Sequence, residues 1–225
     1  MIEYRAASDL GETDLAWLQA RHHFCFAGYQ DVDRLEWGRT RYINHDRLAA
    51  GAELQPSSHF ATEMLVIVED GEIYIKRHSG RDMAIGQNRF AYIAAGTGAE
   101  FGIANRSSKP ASFTTIGLSS DADERAVYRE PVALSAVRDW LASGEDDDVA
   151  HVRLRTSARV KWLELAGGQA LDLHLASEFA YLVVMAGTIN IESHRMTRHD
   201  GLAIRNEACL TIKAETQASL LLIEG

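Results

Sequence analysis

With 225 residues, 46% of them hydrophobic, the chain is long enough for one large or two small domains with real cores, which excludes a disordered polypeptide. Its 32 Asp and Glu outnumber 23 Lys and Arg, and the resulting formal charge of -9 repels phosphate backbones and anionic lipids. Neither nucleic acid nor a membrane surface is therefore expected as a direct partner.

The opening segment, MIEYRAASDLGE, lacks the basic start and apolar run of a signal peptide, and no stretch approaches the roughly twenty apolar residues of a membrane span. Cys25 and Cys209 lie far apart with no metal-binding spacing. A cytoplasmic protein with free thiols is the expectation. Up to about Tyr42 the chain mixes an amphipathic piece, DLAWLQARHHF, with the aromatic run Phe24, Phe26 and Tyr29, a segment suited to closing a barrel. His22 and His23 in that run read as packed or solvent-facing, and His45, in NHD, as a turn residue.

The stretch Ser57 to Ile75, SSHFATEMLVIVEDGEIYI, reads as a strand, a tight glycine turn and a second strand. His59 and Glu63 are four residues apart, so on one extended strand they share a face and form half of a metal site. Without a cation, a hydrogen bond between them, with Ser57 and Thr62 nearby, is the economical arrangement. From Thr62 to Phe113, short Val, Ile, Tyr, Phe and Thr runs are cut by glycines, the pattern of an all-β sandwich or barrel.

Composition shifts near Ser119. In PVALSAVRDWLASG, Pro131 suits a first turn, Val132, Leu134, Val137 and Leu141 have near-helical spacing, and Gly144 is a stop, so a short connecting helix is predicted. The acidic run Glu145 to Asp148 then marks a boundary, giving domains 1–145 and 146–225. Beyond it, LVIVEDGEIYIKRH (Leu65 to His78) can be laid on YLVVMAGTINIESH (Tyr181 to His194) without a gap, Gly71 on Gly187, Ile73 on Ile189 and Ile75 on Ile191. Such self-similarity indicates a duplicated β unit. The positions matching His59 and Glu63 are Leu175 and Phe179, so the second unit reads as a structural copy and any site belongs in the first.

Taken together, HHFCFAGYQD, RYINHD, the strand pair around His59, AAGTGAEFGIANRSS and DGLAIRNEACLTIKA make the chain resemble the pirin family over nearly its whole length, least from about Ala122 to Val149. The resemblance implies two tandem cupin, jelly-roll-like β-barrels with a metal in the N-terminal one. It also implies quercetin 2,3-dioxygenase activity, known in bacterial relatives, or iron-dependent transcriptional co-regulation, as in animal ones. The family's ligand positions, three histidines and a glutamate, fall on Ser57, His59, Phe101 and Ile103. Ser57 is a weak neutral donor, and neither Phe101 nor Ile103 can coordinate. The expectation is therefore a metal-free pocket of these four residues with Glu63, no cofactor, and binding of a small apolar molecule or a protein partner in place of oxygenase chemistry, by a monomer or weak dimer. One alternative is a dioxygenase using iron or another divalent transition metal at a site rebuilt from His59, Glu63 and either His22 or His23. The other is an interaction protein resembling the co-regulators.

Overall fold

The computed structural model describes residues 1–137 and 139–225. Strands dominate throughout, and the described helices are two single 3-10 turns, Ala7–Asp9 and Leu134–Ala136. The chain forms two compact units. One comprises Gly11–Leu35 and Arg41–Arg138; the other comprises Met1–Leu10, Glu36–Thr40 and Asp139–Gly225.

Each unit is a sandwich of a seven-stranded and a four-stranded sheet. In the N-terminal unit the larger sheet runs, edge to edge, Val127–Ala133, Arg89–Ala94, Thr62–Asp70, Ala111–Ser119, Thr40–Leu48, Leu18–His22 and Gly11–Leu15. The smaller sheet runs Glu53–His59, Ala99–Ala104, Glu72–Arg77 and Met83–Gly86. Alternation on Thr62–Asp70 sends Met64, Val66 and Val68 between the sheets, where they meet Ile73, Ile75, Phe101, Ile103 and Phe113. Each such side chain, fully buried, stabilises the fold by roughly 1.5–3 kcal/mol. Leu65 and Ile67 point the other way and are also buried, so the strand reads as one unbroken apolar run.

The C-terminal unit repeats the plan. Its larger sheet holds Phe179–Ala186 and Ala218–Glu224, with Ile2–Arg5 as one edge strand beside Gly201–Arg205. Leu182, Val184, Ile189, Ile191, Leu220 and Leu222 fill its core. The duplication seen in the sequence is real in the backbone: Gly71 and Gly187 each carry a left-handed φ, 78° and 81°, in the turn between matched strands. Segment 36–40 is pinned by Trp37, whose Nε1–H lies 3.0 and 3.1 Å from the carbonyls of Ala180 and Ile204.

The predicted connecting helix is reduced, among the described residues, to the single 3-10 turn Leu134–Ala136. Val127–Ala133 is a strand paired with Arg89–Ala94, and Trp140–Ser143 is a strand of the second unit. Pro131 lies in the register shift between Arg129 and Val132, where a missing N–H costs no ladder bond. Val132 pairs with Phe90, and Leu141 is fully buried. Sheet pairing has overridden a weak helical spacing.

Candidate functional site

The N-terminal unit holds a partly open cavity of about 200 Å³ whose lining includes Ser57, His59, Phe101 and Ile103. The first two end one strand of the smaller sheet, and the bulged pairing of that strand with Ala99–Ala104 sets Phe101 opposite Ser57. His59 lies flat on Phe101, with ring centroids 4.6 Å apart, and its Nε2 is 3.0 Å from Ser57 Oγ. Burial lowers the His59 pKa, favouring the neutral ring.

Glu63 is not among the residues lining that cavity. The strand ends at His59, Ala61 takes a left-handed φ of 47°, and Glu63 belongs to the next strand, in the other sheet. There the buried Glu63 carboxylate accepts a hydrogen bond from the Tyr92 hydroxyl. The expected His59–Glu63 pairing is corrected accordingly, because one continuous strand was assumed where the backbone turns.

The cavity also has a polar wall. Tyr42, Asn44 and Asp46, alternate residues of Thr40–Leu48, line it together with His22. His22 Nδ1 lies 2.8 Å from Asn44 Oδ1 and its Nε2 lies 3.0 Å from Thr13 Oγ1, while burial lowers its pKa. Burial raises the Asp46 carboxyl to about 7; a Thr115 hydrogen bond opposes the shift and the charge of Glu69 adds to it.

On the opposite face of the same sheet lies a second constellation. His45, between Asn44 and Asp46, points away from the cavity by strand alternation. Its Nε2 is 3.0 Å from Nε2 of His23, and its Nδ1 is 2.8 Å from Thr114 Oγ1. Thr114 in turn donates its hydroxyl to Glu69 Oε1 at 2.6 Å. Strand order explains the gathering: Ala111–Ser119 lies between Thr40–Leu48 and Thr62–Asp70, and His23 follows the strand on the far side of His45. Glu69 is the extra residue of a β-bulge, between the pairs Val68–Phe113 and Asp70–Ser112.

His45 and Glu69 offer ligand atoms within 4.8 Å of one another. With His23 they make two imidazoles and a carboxylate, donor types suited to a divalent transition metal. Ligands in cis positions, each about 2.1 Å from one ion, lie about 3 Å apart, the spacing of the two Nε2 atoms. The residues therefore fit a metal. The expectation of a chain stripped of donors, and so of oxygenase chemistry, is corrected by this set. It had rested on Ser57, Phe101 and Ile103 alone, whereas these donors lie at other positions of the same unit.

The chain is similar to several known proteins. A family model described as Pirin matches residues 3–115, and one described as Quercetinase C-terminal cupin domain matches 140–224. A Pseudomonas aeruginosa protein named "Putative quercetin 2,3-dioxygenase PA1210" is 33% identical over 100% of this chain and 99% of its own length. A "Quercetin 2,3-dioxygenase" of Escherichia coli is 25% identical over 100% of this chain and 98% of its own. Among solved structures, the bacterial pirin YhhW from Escherichia coli in complex with nickel(II) superposes with a TM-score of 0.92 at 25% identity, covering 99% of this chain and 98% of that one.

Proposed function

The chain belongs to the pirin family, and from that premise we propose that it is a metal-dependent dioxygenase of the quercetinase type, with its metal held by His45 and Glu69 and with His23 as a further donor. The observation that carries the reading is the donor set itself: ligand atoms of His45 and Glu69 within 4.8 Å of one another, and His23 Nε2 3.0 Å from His45 Nε2. A divalent transition metal held there supplies the redox and Lewis-acid chemistry of dioxygen insertion.

The protein's own groups set the conditions. His23 and His45 are buried, so charge interactions at their ring nitrogens are stronger than in water. Glu69 brings the anionic charge that offsets part of a dication. The two cysteines are unbridged, which fits a cytoplasmic setting.

The test uses untagged protein purified without chelator. Stoichiometric iron, nickel or another transition metal, and oxygen uptake with quercetin, are expected in the wild type, and both should be lost in His45→Ala and Glu69→Gln. Metal-free, inactive wild-type protein, or full turnover in His45→Ala, would falsify the assignment.

A further inference from the structure

We infer that Thr114 is a positioning residue that fixes the tautomer of His45 and thereby presents Nε2 as its metal-donor atom. The inference rests on the metal-site reading above and goes beyond it by naming the donor atom and the group that selects it.

Thr114 is fully buried, on the strand between those of His45 and Glu69, with its single hydroxyl reaching both neighbours. Oγ1 is 2.6 Å from Glu69 Oε1 and 2.8 Å from His45 Nδ1. A hydroxyl has one proton to donate and two lone pairs to accept with, whereas an ionised carboxylate can only accept. The Thr114 proton is therefore committed to Glu69, and what Oγ1 offers His45 is a lone pair. Nδ1 must then carry the ring proton. In the neutral imidazole that leaves the lone pair on Nε2, the atom 3.0 Å from Nε2 of His23. The other tautomer would set the Nδ1 lone pair against Oγ1, and the hydroxyl proton could then satisfy either the ring or Glu69 but not both. Thr114 so links the carboxylate to the imidazole, orienting the ring and fixing which nitrogen carries the lone pair.

Two measurements decide the matter. In the metal-free wild type, nitrogen-15 correlation spectra should show His45 protonated at Nδ1. Titration with zinc ion alone should give an affinity that falls roughly 10- to 100-fold in Thr114→Val, which removes the hydroxyl at nearly constant shape, and stays close to wild type in Thr114→Ser. A His45 ring protonated at Nε2 in the wild type overturns the inference even if Thr114→Val does not fold. So does zinc affinity unchanged in a folded Thr114→Val. A wild type that binds no zinc but keeps the Nδ1 proton removes the metal reading while leaving the Thr114 tautomer assignment intact.

Discussion

The imidazole of His59 and the phenyl ring of Phe101 stack with planes 16° apart, forming one wall of the cavity. Phe101 is 5% exposed, so little of that wall meets bulk solvent. The lowered pKa of His59 comes from burial, and stacking of this kind is worth about 0.5–1.5 kcal/mol beyond the area covered. Phe101→Ala should cost about 3 kcal/mol in urea unfolding, since a cavity already beside it leaves little chance of collapse. It should also admit water and move the His59 pKa back up towards 6.5. A folded-state pKa below the unfolded one contributes stability above about pH 6.5 that is lost as pH falls, so the mutant's stability should decline less on acidification. Proton NMR of the His59 ring checks this: an unmoved pKa would rule out Phe101 as the source of the burial.

Asp46 should impose the opposite pH dependence. Its carboxyl rises from an ordinary 3.8 to about 7 because burial disfavours the anion. A raised carboxylate pKa gives a stability contribution that is complete below pH 3.8 and is lost as pH climbs through about 7. Over that window the metal-free protein should lose up to about 4 kcal/mol through this group. Asp46→Asn keeps the shape and cannot ionise, so its unfolding free energy should vary less between pH 4 and pH 8. Equal slopes for the two proteins would show that Asp46 does not carry the dependence.

How far the sequence could be read follows from these same residues. The β duplication was legible because Gly71 and Gly187 punctuate matched apolar runs, and a turn signal survives in a local pattern. Ser57, His59, Phe101 and Ile103, the positions named through the resemblance, line one cavity. Glu63 was misplaced because two residues, Phe60 and Ala61, carry the chain from one sheet to the other, and neither is a usual turn former. His45 and Glu69 were not legible as partners. They are 24 positions apart and are joined only because Ala111–Ser119 inserts between their strands, a relationship created by sheet order. The N-terminal strand Ile2–Arg5 likewise has no local signal of its pairing with Gly201–Arg205.

That N-terminal strand carries a prediction of its own. Arg5 is 1% exposed, its Nε is 2.8 Å from Glu3 Oε1, and its guanidinium lies over Tyr181 and Trp37 at 5.5 and 5.9 Å from their ring centroids. Truncation removes a buried cation together with the packing of its stem, and such losses run to about 3 kcal/mol. Arg5→Ala should therefore be strongly destabilising, while Arg5→Met, which keeps most of the volume, should recover a good part. Near-equal melting of Arg5→Ala and wild type would mean that the edge strand contributes little to the C-terminal unit.

Metal-linked stability separates the two faces of the N-terminal sheet. A ligand that binds only the folded state stabilises it in proportion to the logarithm of one plus the ratio of free ligand to Kd, about 2.7 kcal/mol when free metal is 100 times Kd. Zinc added to chelator-treated wild type should raise the melting temperature, and the rise should vanish in His45→Ala, whose Nε2 is the proposed donor. His59 lines the cavity on the opposite face and pairs with Ser57. His59→Ala should therefore shift the baseline stability yet keep the metal-induced increment. The reverse pattern, an increment lost in His59→Ala and kept in His45→Ala, would move the metal from the His45 face into the cavity. Because each variant is compared with itself before and after zinc, a general loss of stability in either one cancels from the result.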